Sequence, residues 1–98
     1  MDYYVLETKK IFETDVDGYR IPLSTPIDRS AIYKIDTIEK ARQEMMRVAD
    51  LIMIAVEKSH DRAYRAKENL NEIVIYAENN TVTGSVITEF FKLEVGWL

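Results

Sequence analysis

The chain has 98 residues and a formal net charge of −4, because 17 Asp and Glu outnumber 13 Lys and Arg. This balance argues against a general nucleic-acid-binding protein, which is usually basic. A chain without cysteine also has neither disulfides nor thiolate metal sites. Hydrophobic residues make up 47% of the sequence, a proportion typical of globular proteins, so residues 1–98 are expected to form a single domain.

Neither a secretory signal nor a membrane span is predicted. The N-terminal Met-Asp-Tyr-Tyr lacks a basic region followed by an apolar run. The longest strongly apolar run, Leu51 to Val56, is far shorter than the ~20 residues that cross a bilayer. We therefore expect a cytoplasmic protein that does not enter a membrane.

Three strands are predicted in the first third of the chain. Residues 3–12 are rich in strand-forming side chains, and residues 15–18 form a turn signal that ends in glycine. Residues 19–23 would return as an edge strand, because Pro22 cannot donate a ladder hydrogen bond. After a loop over residues 24–30, a short third strand is predicted at residues 31–35.

The stretch from Thr37 to about Leu70 contains no glycine or proline and predicts one long helix capped by Asp36 or Thr37. Such a helix would be ~50 Å long, whereas a domain of this size has a radius of gyration of only ~13 Å. It would therefore project beyond the domain unless a partner covers it. The alternative is a break at residues 59–61, with a second helix beginning there.

The two halves of this predicted helix differ in character. Up to Val56 it is apolar on two sides, so we expect more than one surface to cover it. Beyond Lys58 the apolar side becomes a narrow stripe of small residues, which permits the close approach of another helix. The sequence therefore predicts an interaction seam for a partner helix, and the alternative is that the same residues pack on the chain's own sheet. The seam consists of Ile52, Val56, Ser59, Ala63, Ala66 and Leu70.

A β-hairpin over about residues 72–95 is predicted to follow the helix. Residues 72–78 are a strong strand signal, and Asn79-Asn80 favours a two-residue turn that would place Ile75 opposite Gly84. The resulting order, β-β-β-α-β-β, predicts an α+β fold in which a mainly antiparallel sheet of four or five strands packs against one long helix.

A basic strip is the clearest charge feature of the chain, and it consists of Lys58, Arg62, Tyr64, Arg65 and Lys67. On a helix, most of these side chains would share one side. Three interpretations follow: a solvated helix face, a contact for an acidic protein, or a phosphate-binding strip with Tyr64 available for stacking.

Two sequence patterns resemble catalytic or metal sites without completing them. Residues 13–18 match the first half of a calcium loop, but Ser24 stands where a bidentate glutamate is required. Ser59-His60-Asp61 contains the residue types of a hydrolase triad, but neighbours on a helix point about 100° apart. We therefore predict no catalytic residue, no metal site and no cofactor.

These observations favour a small non-catalytic protein that acts by protein–protein interaction, as an inhibitor, adaptor or regulatory subunit. The predicted seam further favours a homodimer. The alternative is a nucleic-acid or nucleotide-phosphate binding module that uses the basic strip.

Overall fold

A computed structural model describes residues 2–30 and 34–97 of the chain. It is an antiparallel sheet of six strands with one helix, which confirms the α+β class and adds strands to the four or five predicted. The elements are β1 (Tyr3–Thr14), β2 (Arg20–Pro22), β3 (Ile27–Ser30), α1 (Ile38–Ser59), β4 (Arg62–Glu68), β5 (Glu72–Asn80) and β6 (Val86–Trp97).

The two long strands β1 and β6 form the centre of the sheet. They pair along their full length, with Val5 opposite Val95 and Phe12 opposite Thr88. β5 and then β4 continue the sheet beyond β6, while β2 and β3 both pair with the outer edge of β1. The turn at residues 15–18 and the edge position of β2 are as predicted. The loop predicted over residues 24–30 is wrong in its second half, because β3 lies at Ile27–Ser30. Of the strand predicted at residues 31–35, residues 31–33 lie outside the described part of the chain, and Ile35 forms an isolated antiparallel bridge with Tyr3.

The helix begins as predicted, but the prediction that it continues to Leu70 is wrong. Thr37 caps α1, since its Oγ1 accepts a hydrogen bond from the backbone N–H of Lys40 at 3.2 Å. α1 ends at Ser59, and His60 already has extended backbone angles (φ −128°, ψ 153°). The break therefore lies where the alternative placed it, but the segment that follows is β4 and not a second helix.

Hairpin pairing with the next strand explains why residues 62–68 form a strand. β4 pairs with β5, so that Ala63 lies opposite Ala77 and Tyr64 opposite Tyr76. Tertiary contacts of this kind readily outweigh the small differences in helix propensity. Side-chain hydrogen bonds also stabilise the connection between α1 and β4. The Asp61 N–H donates to Asn79 Oδ1 (2.9 Å), and the Asn80 N–H donates to Asp61 Oδ2 (2.8 Å).

The core lies between α1 and one face of the sheet. The helix contributes Ala41, Met45, Ala49 and Val56, which pack against buried residues of β1, β5 and β6. Val48, on the second apolar side of the helix, also packs against this core, whereas Leu51 and Ile54 remain 54% and 53% exposed. A second surface that covers the helix therefore stays a prediction.

The predicted two-residue turn at Asn79-Asn80 is wrong. Asn80 is the last residue of β5 and pairs with Val86, so the connection spans residues 81–85. Gly84 takes φ +87° in this loop, and its N–H donates to the Thr81 carbonyl oxygen at 3.2 Å. Glycine adopts this conformation without the steric cost that other residues incur. Ile75 consequently lies opposite Phe91 and not opposite Gly84.

Candidate binding surface

The predicted interaction seam does not exist as one stripe. Ile52, Val56 and Ser59 lie on α1, where the first two pack into or against the core. Ala63 and Ala66 lie in β4, and Leu70, 69% exposed, lies in the turn before β5. The stripe depended on helical periodicity, which ends at Ser59.

The predicted basic strip is likewise divided. Lys58 is in the last turn of α1, whereas Arg62, Tyr64, Arg65 and Lys67 belong to β4, where successive side chains point to opposite faces. Arg65 faces the helix and bridges Asp50 of α1 (Nη2–Oδ1 2.5 Å) and Glu68 (Nη1–Oε1 3.2 Å). It therefore fastens the edge strand to the helix and is not available as a free cation.

The opposite face of the sheet, which we call the open face, carries an aromatic row formed by Tyr64, Tyr76 and Phe90. These residues are direct cross-strand partners on β4, β5 and β6. The rings of Tyr64 and Tyr76 stack at 5.6 Å between centroids, and Phe90 meets Tyr76 edge to face at 5.4 Å. All three are partly exposed, and the described part of the chain has no second helix to cover them.

Three cations lie over aromatic rings at one end of the open face. The Arg62 guanidinium is 4.5 Å from the Tyr64 ring centroid, and Lys10 Nζ is 5.3 Å from that of Phe90. Arg20 lies 4.8 Å above the ring of its neighbour Phe12. These are cation–π distances. A cation therefore lies at each end of the aromatic row, with Arg62 beside Tyr64 and Lys10 beside Phe90. The third cation, Arg20, lies over Phe12, which is outside the row.

These three cations differ from the lysines at the other end of the open face in their partners. Lys67 and Lys92 form ion pairs with Glu72 and Glu94, each at 3.3 Å. Among the described residues, Lys10, Arg20 and Arg62 have no carboxylate oxygen within 4.0 Å. The end of the open face that carries the aromatic row is therefore its positive end.

A hollow of about 410 Å³ opens at this positive end. Phe12 and Arg20 line it on the side of β1 and β2, and Tyr64 and Tyr76 line it on the side of β4 and β5. Thr88 of β6, only 4% exposed, lies between the two sides. The sheet order thus produces a concave site with aromatic walls and a floor formed by Val86 and Thr88 of β6.

One carboxylate, that of Glu78, also lines the hollow. Its Oε1 accepts a hydrogen bond from the Tyr64 hydroxyl at 3.0 Å. Burial raises the pKa of Tyr64 above its ordinary value of 10.0, and the hydrogen bond and negative charge of Glu78 raise this pKa further. Tyr64 is therefore a neutral hydrogen-bond donor at neutral pH, and Glu78 is already engaged.

A second, smaller hollow of about 200 Å³ lies on the helix side of β1, beside β3. Among the described side chains that line it, the cation is Lys9, which lies 5.4 Å from the Phe91 ring centroid and 4.0 Å from Glu89 Oε2. Within those described side chains, this hollow therefore shows no cation without a carboxylate partner.

The Ser59–His60 pair makes closer contact than the helical argument predicted, because His60 lies beyond the end of α1. Ser59 Oγ is 2.8 Å from His60 Nδ1, and His60 Nε2 is 3.6 Å from Glu89 Oε2. Nδ1 is also 3.1 Å from the Val56 carbonyl oxygen, which can only accept a hydrogen bond. The Ser59 hydroxyl donates to the Ala55 carbonyl oxygen (3.1 Å). The single hydroxyl hydrogen of Ser59 is therefore directed at the helix backbone and not at His60.

The calcium-like acidic segment is used to form turns. Asp15 Oδ1 accepts hydrogen bonds from the N–H groups of Asp17 and Tyr19, each at 2.9 Å. Glu13 instead accepts a hydrogen bond from the Ser85 hydroxyl at 2.6 Å. Within residues 2–30 and 34–97, no group of three or more His, Cys, Asp or Glu side chains is placed to hold a metal ion.

Sequence reasoning missed four members of the open face: Lys10, Arg20, Tyr76 and Phe90. The signal that was available is alternation, since Arg62 and Tyr64 in β4 and Tyr76 and Glu78 in β5 occupy every second position. Placing the residues side by side, however, requires the register between five strands.

No protein-family profile matches the chain, and no curated protein or solved structure is significantly similar to it. No helix in the described part of the chain is long and apolar enough to cross a membrane.

Proposed function

We propose that this protein acts by binding another protein through the open face of its sheet, and not by catalysing a reaction. The observation that carries the proposal is the partly exposed aromatic row with cations at both ends. Tyr, Phe and Arg are enriched at protein interfaces, and Tyr and Arg are prominent among the residues that contribute most to binding. An inhibitor, an adaptor or a regulatory subunit would each use such a surface.

The edges of the sheet are poorer candidates for association. β4 has a bulge between Arg65 and Lys67, and its side chains are largely charged. At the other edge, β2 is three residues long and contains Pro22. Short strands, bulges, charges and proline all oppose the addition of another strand, so the open face is the better binding surface.

A nucleic-acid partner is the second candidate, because cations and aromatic rings together bind single strands by charge and stacking. The arrangement of the rings favours a protein instead. Tyr64 already stacks on Tyr76 and contacts the Arg62 guanidinium, and Lys10 already lies over Phe90. A base would have to displace these neighbours before it could stack, whereas a protein side chain can contact the exposed ring edges directly.

A substitution within the aromatic row tests this proposal. Tyr76→Thr removes the central ring and keeps a residue that favours strands. Leu51→Gln, at a position 54% exposed on the far side of α1, is the matched control. Wild-type and variant proteins would capture partners from the native host, mass spectrometry would identify them, and each purified partner would then be titrated against the three proteins.

We expect Tyr76→Thr to weaken binding by about 30-fold, as for an interface residue worth ~2 kcal/mol. Leu51→Gln is expected to leave the affinity within about twofold. Retained binding with Tyr76→Thr and lost binding with Leu51→Gln would move the interface to the helix and contradict the proposal. Light scattering of the same proteins would show whether the partner is a second copy of the chain.

A further inference from the structure

We infer that the partner segment seated on the open face is acidic: it carries carboxylates beside an apolar side chain that enters the hollow between β1 and β4. This inference rests on the proposed function and specifies the chemistry of the partner. It follows from the charges that the fold leaves uncompensated, from the way in which those charges are held, and from the shape of the surface between them.

The uncompensated charges are notable because the chain has more acids than bases. Cations in such a chain have many carboxylates available, and on the same face Lys67 and Lys92 form ion pairs with Glu72 and Glu94. Lys10, Arg20 and Arg62 instead lie over rings. An attached ring attracts a cation but does not neutralise it, so the positive end of the open face complements an anionic partner.

The two arginines are suited to carboxylates in particular. A guanidinium can donate two parallel hydrogen bonds to one carboxylate while its flat face stays against an aromatic ring. Arg20 and Arg62 are already placed over Phe12 and Tyr64. Because this contact restricts the side chains before binding, less conformational entropy is lost when the carboxylate arrives.

The hollow, which Arg20 lines and whose wall residue Tyr64 contacts Arg62, accounts for the apolar part of the partner. Its volume of about 410 Å³ lies within the range of ordinary binding pockets, and Phe12, Tyr64 and Tyr76 supply its aromatic walls. Glu78 is the one carboxylate that would oppose an acidic segment here, and the Tyr64 hydroxyl already donates to it. An aliphatic or aromatic side chain of the partner would contact these aromatic walls, and flanking Asp or Glu would bind the two arginines.

The test is a selection from a random-peptide phage library on the whole protein. The selected peptides would be synthesised, labelled with fluorescein and titrated by fluorescence anisotropy. The variants are Arg20→Gln combined with Arg62→Gln, Tyr76→Thr, and Lys92→Gln. Lys92→Gln is the matched control, because it removes a cation of the same face that is already paired with Glu94.

We expect the selected peptides to carry Asp or Glu next to an aromatic or aliphatic residue. Their affinity should fall at least about tenfold in the double arginine variant and in Tyr76→Thr, but less than about twofold in Lys92→Gln. Added salt should also weaken the binding, because the arginines are solvent-accessible.

Other outcomes overturn the inference in distinguishable ways. Neutral or basic peptides that are lost with Tyr76→Thr but unaffected by the arginine changes would refute the acidic partner and leave the open face as the binding surface. Peptides unaffected by Tyr76→Thr, or no selected peptide at all, would count against both proposals. Labelled oligothymidylate that binds and displaces the peptides in an Arg62-dependent way would assign the surface to single-stranded nucleic acid.

Discussion

The hydrogen bond between Tyr64 and Glu78 leads to a quantitative prediction for the open face. Tyr64→Phe removes the hydroxyl that donates to Glu78 Oε1 at 3.0 Å and keeps the ring that stacks on Tyr76. Hydrogen bonds to charged groups contribute about 1.5–3 kcal/mol when well buried. Because Tyr64 is only partly buried, we expect a loss of about 1 kcal/mol at pH 7. For a chain of this length, that corresponds to a Tm lower by roughly 4–8 °C.

The same substitution predicts a change in the pH dependence of stability. The pKa of Tyr64 is raised in the folded protein, first by burial and then by Glu78. The folded state therefore holds the phenolic proton more tightly than the unfolded state, whose pKa is about 10. The stabilisation from this proton is complete below pH ~10 and is lost as the pH rises through the folded-state pKa. Wild-type stability should consequently fall more steeply above pH ~10 than that of Tyr64→Phe.

Urea denaturation followed by circular dichroism, at neutral pH and at several values above pH ~10, would measure both effects. Tyr19→Phe is the matched control, because Tyr19 is 71% exposed. A double-mutant cycle with Glu78→Gln should give a coupling of at least about 0.5 kcal/mol at pH 7. A wild-type advantage over Tyr64→Phe that stays constant across the alkaline range, or a Tyr19→Phe difference of equal size, would refute the reasoning.

Three glycine substitutions test the loops and the remainder of the open face. Gly84→Ala should destabilise by about 1–2 kcal/mol, because Gly84 has φ +87°. The loss should be larger than that caused by Gly18→Ala. A Cβ added at Gly84 would lie 3.2 Å from Val16 Cγ1, whereas a Cβ added at Gly18 would have no atom within 4 Å. Equal losses of stability in urea denaturation would show that this contact is unimportant. Gly96→Ala should be destabilising because its Cβ would lie within 3 Å of three atoms of the Tyr4 side chain. Tyr4→Ala should reduce the effect of Gly96→Ala, and a purely additive double variant would contradict this placement.

Local sequence patterns predicted the start of the helix correctly but not its end. Thr37 as the cap and the apolar positions up to Val56 are local signals, and the helix follows them. Beyond Ser59 the chain has no strong helix breaker, so spacings of three and four continued to suggest a helix. The same residues also alternate, with Arg62 and Tyr64 on one side and Ala63 and Arg65 on the other. Hairpin pairing with β5 decides between the two patterns, and the periodicity of residues 59–70 by itself does not contain that pairing.

The hairpin prediction failed for a related reason. Asn79-Asn80 is a plausible turn when considered alone, but closing the chain at residues 81–85 lets Gly84 take the positive φ. That choice sets the register between β5 and β6, and it brings Tyr76 beside Phe90. A turn placed a few residues earlier or later would shift this register, and Tyr76 would then no longer lie beside Phe90.

The sequence by itself determined the α+β class, the strands around residues 3–12 and 72–78, the start of the helix and the absence of thiol chemistry, because these depend on neighbouring residues or on composition. Only the tertiary structure decided the extent of the helix, the existence of β4 and the composition of the open face. Tyr64, Tyr76 and Phe90 lie on three consecutive strands, and Lys10 lies on β1, which is distant along the chain. They become neighbours only when the registers of three strand pairs are set together, and no local pattern contains that information.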